Sequence, residues 1–339
     1  MRIAQIAPSF GQVGGPEVVC SNLTEALVEK GVNVTLYAPG DWKTSAKHVV
    51  TIPESLWNIS DFDRQTENER RNLNLSNLFR IVNDSDDFDI IHIHSQRYAA
   101  SIRSVTDTPC IVTLHNRILS RDFDQLLKVG TVPVAISPGR AGKLDSPETA
   151  MIRNGIPLKH IIPSFTPGNG LICIGRITEP KGIHIAIEIA RAANKKLDIY
   201  GRVGNSPNRR EYFEQRIKPL LGDDIVFHEQ VSQEELFVAI RGSEALISPI
   251  IGGLLTFPLV VMEALACGTP IIGTPINDSI LAGYMGRIGA FSDSIEELVT
   301  AAKTVPFDRK VCRTFAERYF DSRTMADQYL SLYEAILRK

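Results

Sequence analysis

The sequence predicts an α/β chain of two Rossmann-like domains, each a parallel sheet covered by helices on both faces. Its 339 residues exceed the ~100–200 typical of one domain. Apolar runs of strand length alternate along the chain with segments of helical period. The alternation is interrupted once, by a stretch rich in proline and glycine, and then begins again.

The first unit is the clearest. "RIAQIAP" reads as a buried strand, "SFGQVGG" as a glycine loop, "PEVVCSNLTEALVEKG" as a helix and "VNVTLYAP" as the next strand. Pro16 suits a first helical position and Glu17 the positive end of the helix dipole. Val19, Leu23, Ala26 and Leu27 repeat as an apolar stripe, and Gly31 ends the helix. Further strands are expected at "FDIIHIHS", "PCIVTLH" and "TVPVAIS". "NGIPLKHIIPSFTPGNG", residues 154–170, holds three prolines and three glycines and marks the domain boundary. After it come strands at "GLICIG", "KLDIYG", "DIVFHE", "EALISPI" and "TPIIG". Between them lie helices at "GIHIAIEIARAAN", "NRREYFEQRIKPLL", "SQEELFVAIRG" and "PLVVMEALACG". The tail "DSRTMADQYLSLYEAILRK" is a capped amphipathic helix with Met325, Tyr329, Leu332, Tyr333 and Ile336 on one side. The expected division is 1–160, 161–321 and a last helix of about 322–339.

Hydrophobic residues at 43% and charged residues at 22% place the chain among globular proteins rather than disordered ones. The net charge is −2, and residues 1–165 carry 17 basic and 18 acidic groups against 20 and 21 in the remainder. Neither half advertises a polyanion-binding face, so no nucleic-acid partner is expected. The five cysteines, Cys20, Cys110, Cys173, Cys267 and Cys312, are odd in number and far apart. They suit neither a disulfide framework nor a metal site, and a reducing cytoplasm is the expected compartment. "MRIAQIAPSF" is too short an apolar run for a signal peptide. The apolar run from Ala245 to Gly273 is broken by Pro249, Gly252, Gly253, Pro258, Glu263 and Gly268, which makes it strand, loop and helix rather than a membrane span.

Ligands of parallel sheets bind outside the carboxyl ends of the strands, so motifs there carry the functional weight; in two such domains they are expected to face a shared cleft. In "FGQVGGPE" the glycines Gly14 and Gly15 permit close backbone approach, and the helix start after Pro16 offers N–H groups to an anion. In "IGRITEPKG", Arg176 stands just past a strand and Lys181 five residues later, a fork and a point charge suited to a diphosphate. In "TFPLVVMEALACG", Pro258 opens a helix whose first amides, at Leu259 and Val260, suit phosphate oxygens. Glu263, about one turn further on, is the only charged side chain between residues 254 and 273. A lone carboxylate in an apolar helix needs solvent or a ligand, and two vicinal hydroxyls of a ribose would serve.

In this order and spacing the three motifs resemble glycosyltransferase family 4, retaining enzymes of the GT-B fold. The likeness extends through "DIIHIHS", "TLHN", "RNGIP" and "FHEQVSQEEL" and covers nearly the whole chain. It implies an N-terminal acceptor domain, a C-terminal nucleotide-sugar domain and a last helix that crosses back to the first. It also implies that Arg176, Lys181 and the amides of Leu259 and Val260 hold the donor diphosphate, in the segment that runs Thr256, Phe257, Pro258. Glu263 would bind the ribose, the main chain near Gln230 and Val231 the base, and Gly14 and Gly15 the phosphate and acceptor side. His115 would face the donor sugar, and His94 would lie on the acceptor side. The implied donor is a UDP- or GDP-sugar. The acceptor would be a hydroxyl of a glycan, a lipid-linked sugar, a protein or a small molecule. Neither a cofactor nor a metal is expected, the two "DFD" segments at 61–63 and 122–124 being read as solvated loop acids.

Two departures stand out. Family members carry a Glu-x7-Glu pair, but the position eight before Glu263 is Leu255. Three readings follow: a donor that lacks the hydroxyl contact, compensation by Thr256 or backbone groups, or, as the alternative, a non-catalytic partner subunit. "INDSI" replaces a common glycine pair and acid, with Asn277 and Asp278 as partial substitutes. A nucleotide-sugar epimerase lacks its extra carboxylates here, and an NAD-dependent dehydrogenase lacks the dinucleotide glycine spacing. His92 and His94 are assigned to opposite faces of their strand, with His94 lining the cleft, and His228 is expected beside the base. Arg70, Arg71 and Arg80 lie among Leu73, Leu75, Leu78 and Phe79, which raises a weak peripheral membrane contact; a core-facing helix with a charged exterior is the preferred reading.

Overall fold

The computed structural model describes residues 1–338 except 13, 57, 59–71, 73, 74, 76–79, 139–145, 147, 167, 205 and 253–256. The chain divides into two compact units, one of Met1–Pro157 with Asp321–Lys339 and one of Leu158–Phe320.

The first unit carries a seven-stranded sheet of β1 (Arg2–Ile6), β2 (Asn33–Ala38), β3 (Lys47–Val50), β4 (Ile90–Ile93), β5 (Cys110–Leu114), β6 (Val132–Ala135) and β7 (Ala150–Met151). Every pairing is parallel, and the spatial order is β3-β2-β1-β4-β5-β6-β7. Three of its helices are α1 (Gly15–Glu29), α2 (Ala99–Arg103) and α3 (Ser120–Lys128). Ile3, Ile6, Ile91, Ile93, Val112 and Leu114 are fully buried, as strands covered on both faces require. Three polar residues on adjacent strands interrupt this core: Gln5, His92 and Thr113, each 0% exposed. Order reverses between β1 and β4, which opens a crevice at their carboxyl ends.

The second unit repeats the plan with β8 (Leu171–Ile174), β9 (Leu197–Tyr200), β10 (Ile225–His228), β11 (Ala245–Ser248), β12 (Ile271–Gly273) and β13 (Gly289–Phe291). The order is β10-β9-β8-β11-β12-β13, again all parallel, so the reversal falls between β8 and β11. Its helices are α4 (Ile183–Ala192), α5 (Pro207–Tyr212), α6 (Gln233–Gly242), α7 (Leu259–Ala266), α8 (Ile295–Thr304) and α9 (Arg309–Tyr319). The helix expected over residues 208–221 is regular only to Tyr212 and continues as a wide turn and a 3₁₀ turn around Pro219. Proline has no N–H to give an α-helix and crowds the preceding turn.

The last helix, α10 (Ser322–Leu337), packs on α1 of the first unit and buries Met325, Tyr329 and Tyr333. Its capping residue Asp321 lies on a one-residue bridge to Ile156, and the Gly155 amide meets Met325 Sδ at 3.1 Å. A side chain at Gly155 would put Cβ 2.6 Å from Ser322 Cα, so only glycine lets the two segments touch. Among the described residues no helix is long and apolar enough to cross a membrane. Most of the segment holding Arg70, Arg71, Leu73, Leu78 and Phe79 lies outside the described residues.

In the second unit Arg309 is 8% exposed and donates to the carbonyls of Ser164, Arg241 and Ser243 and to Thr269 Oγ1. It thereby ties the start of the unit to the ends of α6 and α7. Arg309→Met fills similar volume but strands these acceptors, and should lower the stability of the second unit by about 2–4 kcal/mol. Urea denaturation followed by fluorescence checks this; an unchanged midpoint would mean that water replaces the guanidinium at no cost.

Candidate active site

The reversal between β8 and β11 organises the second unit's site. β8 ends at Ile174, and the chain turns through Gly175 to Gly182 before α4; β11 ends at Ser248 and leads toward α7. The two turns interlock, since Ile251 N donates to Pro180 O at 3.0 Å. Gly182 has φ +65°, and a Cβ there would lie 1.9 Å from Pro249 O. Arg176 is exposed on this turn and Lys181 is half-buried, and neither makes an ion pair with any described residue. Burial, and after it the Arg176 charge, holds the Lys181 ammonium below its ordinary range, against a smaller opposing pull from Cys173. Two neighbouring cations without a counter-acid repel each other until an anion arrives.

Across the same reversal, α7 begins at Leu259 with Pro258 as N-cap and no capping side chain. Pro258 O accepts from Val261 N and Met262 N, which leaves the first two amides, of Leu259 and Val260, without a partner among the described residues. Phe257 is 2% exposed, its ring packed on Phe315 and Phe320 at centroid distances of 6.0 and 4.9 Å, so only its main chain is left for a ligand. Leu255 and Thr256 lie outside the described residues.

Glu263, one turn into α7, is half-buried, and burial pushes its carboxyl up to about 7. One hydrogen bond offsets this in part: Gln233 Nε2 donates to Glu263 Oε1 at 3.3 Å. Gln233 was not among the residues expected at the site. It is the first residue of α6, whose start is fixed by a capping box in which Ser232 Oγ and Glu235 serve each other's backbone amides. The "SQEE" pattern marks that helix start, but nothing in it points to Glu263. Just before it, Val231 is half-buried and Gln230 exposed. His228 at the end of β10 meets Asp198 Oδ1 at 2.7 Å and stacks on Tyr200 at 4.4 Å. Asp278 is buried and caps the next turn through Ile280 N, while Asn277 is exposed.

In the first unit Gly14 caps α1 and Gly15 is exposed at its start. Glu17 is only 5% exposed, and a Cβ on Gly14 would fall 2.0 Å from its Oε2. The start of α1 thus already holds one of the chain's own carboxylates, the favourable sign for that end of a helix. On the other side of the β1/β4 reversal, His94 and His115 are 3% and 8% exposed, and His94 Nδ1 lies 2.9 Å from His115 Nε2.

The opposite faces assigned to His92 and His94 are wrong. Side chains two apart on a strand point the same way, and the two rings stack at 4.3 Å. Both join a buried network. His94 Nε2 is 2.7 Å from Gln5 Oε1, His92 Nδ1 is 2.8 Å from Tyr333 Oη, and His92 Nε2 is 2.8 Å from Thr113 Oγ1, which meets Tyr329 Oη at 2.7 Å. Burial, joined by the other imidazoles, holds His92 and His94 well below the usual histidine range, so both are neutral. Among the described residues no group of three or more His, Cys, Asp or Glu is arranged to hold a metal ion.

Comparison with known proteins fits this geometry. The model described as "Glycosyltransferase Family 4" matches residues 13–145, and that described as "Glycosyl transferases group 1" matches residues 168–305. The phosphatidyl-myo-inositol mannosyltransferase of Mycobacterium leprae is 23% identical, over 99% of this chain and 97% of its own length. The D-inositol 3-phosphate glycosyltransferase of Arthrobacter sp. is 24% identical over 84% and 80%. Among solved structures, sucrose-phosphate synthase from Thermosynechococcus elongatus superposes with a TM-score of 0.77 at 18% identity, covering 100% of this chain and 99% of its own. Anabaena HepE, in complex with UDP and glucose, gives 0.76 at 16%, covering 99% and 100%. With two parallel-sheet Rossmann-like units, both family models matched and these relatives along its length, the chain belongs to glycosyltransferase family 4 and has the GT-B fold.

Proposed function

We propose that this glycosyltransferase transfers a sugar from a UDP- or GDP-sugar to a hydroxyl acceptor with retention of configuration and without a metal ion. One observation carries the reading: Arg176 and Lys181, lacking any counter-acid among the described residues, share a strand reversal with the open amides of α7. Departure of a nucleoside diphosphate builds negative charge on its phosphate oxygens. A preset pair of cations and a helix start stabilise that charge where it develops. Glu263 accepts hydrogen bonds from the ribose hydroxyls, the main chain at Val231 meets the base, and His115 meets the donor sugar. Retention without an enzyme nucleophile puts the acceptor on the face the leaving group vacates, with the phosphate oxygen taking its proton. HepE, crystallised with UDP and glucose, and two relatives named for inositol acceptors support a nucleotide-sugar donor and a polyol-like acceptor. All five cysteines are buried free thiols, in keeping with a cytoplasmic enzyme.

In the presence of EDTA, UDP or GDP at a hundredfold excess over its Kd should stabilise the protein by about 2.7 kcal/mol, seen as a rise in Tm. Arg176→Ala and Lys181→Ala should each weaken the diphosphate about 10- to 100-fold, the worth of a charge-assisted hydrogen bond, while affinity for the bare nucleoside stays put. A protein indifferent to every nucleoside diphosphate would overturn the reading.

Glu263 gives a prediction with a sign. A carboxyl whose folded value, about 7, stands above the unfolded 4.5 binds its proton more tightly when folded. It therefore costs nothing below pH 4.5, and its penalty grows as pH rises to about 7 and is full above that, at most about 3 kcal/mol. Glu263→Gln should match the parent in stability at pH 4.5, exceed it at pH 8, and bind nucleotide at least about tenfold more weakly, the loss expected for one charge-assisted bond. Melting curves at the two pH values decide; an equal difference at both would show that the carboxyl is not the source.

A further inference from the structure

Glu263 has two carboxylate oxygens, and the chain itself engages one of them. Gln233 Nε2 donates to Oε1 at 3.3 Å, while Oε2 has no partner among the described residues. The sense of this bond is fixed for the charged form, because an ionised carboxylate only accepts and the amide nitrogen must therefore face it. The reverse sense requires the protonated acid. A hydrogen bond to the charged form is the stronger of the two, so the contact favours carboxylate over acid. Gln233 does not hold up its own helix. Its side chain is exposed at the first position of α6, and the start of that helix is already fixed by Ser232 and Glu235. Among the described residues, the one side-chain hydrogen bond of Gln233 crosses to α7 and ends on Glu263.

We infer that Gln233 is a positioning residue of the nucleotide site: its carboxamide engages Oε1 of Glu263 and leaves Oε2 open to the hydroxyls of the ribose. The ribose rests on the proposed function, whereas the contact between Gln233 and Glu263 does not. Other charged groups around α7 are turned elsewhere. On α6, Glu234 is exposed, Glu235 is turned back onto Ser232, and Arg241 acts on Cys267 at the end of α7. On α9, Arg309 donates to the carbonyls of Ser164, Arg241 and Ser243, and Arg313 pairs with Glu317 and donates to Ala266 O at 3.0 Å. Two influences then act on the Glu263 carboxyl: burial, which favours the acid, and the Gln233 amide, which opposes it. A ribose hydroxyl needs an acceptor, and only the ionised group offers both oxygens as acceptors. Gln233 therefore couples the first turn of α6 to the recognition of the pentose.

The experiment joins a ¹³C NMR titration of glutamate side chains in the free full-length protein to calorimetry with UDP, GDP and their 2′-deoxy forms. The Glu263 signal is identified by its loss in Glu263→Gln, and its wild-type midpoint should fall at about 7. Gln233→Leu should raise that midpoint by about half a unit to one unit, the effect of losing one long hydrogen bond to a carboxylate. Gln233→Lys puts a cation in the same place and should lower it below the wild type. A merely structural side chain at an exposed helix start would not move the midpoint in opposite directions. At pH 7 the wild type should prefer the ribonucleotide to its 2′-deoxy form. Gln233→Leu should shrink that preference about 3- to 10-fold, matching the shift in ionisation, and Gln233→Lys should keep it. A Glu263 midpoint that ignores both substitutions, or a Gln233→Leu protein with its full ribose preference, overturns the inference. A wild type that binds neither nucleotide would defeat the proposed function and with it the ribose as occupant, while the titration, which needs no ligand, still decides the contact between Gln233 and Glu263.

Discussion

The site depends on the parallel pairing of β8 with β11, in register through Leu171 with Ala245 and Ile172 with Leu246. These strands are far apart in sequence and adjacent only because the winding direction reverses between them. The turns that leave their carboxyl ends therefore meet instead of being separated by a crossover helix. One turn carries Arg176 and Lys181, the other leads to the open end of α7, and a glycine at position 182 is needed for them to touch. The charges gathered there are unfavourable in the free protein. Lys181 is held below its ordinary range and Glu263 well above it. Ionisable groups displaced in this way from their ordinary ranges cluster at binding sites, and this is why the proposed function sets the nucleotide there.

The first unit treats polarity differently. Gln5, His92 and Thr113 replace apolar side chains at the centre of a parallel sheet, where an unpaired polar atom is costly. Two tyrosines from α10 and two further imidazoles complete their hydrogen bonds. The network lies on β1, β4 and β5, next to the β1/β4 reversal, and is buried and hydrogen-bonded. At its rim Glu17 sits at the start of α1, beside Gly14.

Much of this was legible in the sequence. The alternation of apolar runs with helical stripes gave the two sheets, because strands buried on both faces leave a continuous apolar signal, as in "LICI" and "ALIS". Short edge strands such as β3, β7 and β13, of four, two and three residues, leave no such signal and were missed, as were α8 and α9. Arg176, Lys181 and Glu263 were readable as charges at strand ends and in an apolar helix. Gln233 was not, because its contact joins the first turns of α6 and α7, 30 residues apart. The histidine network was hidden by a mistaken reading of strand periodicity, and its partners Gln5, Tyr329 and Tyr333 look like ordinary core positions until the sheet and α10 are assembled.

The central claim is that one nucleotide occupies the β8/β11 reversal. A crystal structure of the protein with UDP- or GDP-sugar tests it most directly. The expected complex has diphosphate oxygens about 3 Å from Arg176, Lys181 and the amides of Leu259 and Val260, with both ribose hydroxyls on Glu263. A nucleotide bound elsewhere, touching none of those five residues, would contradict it.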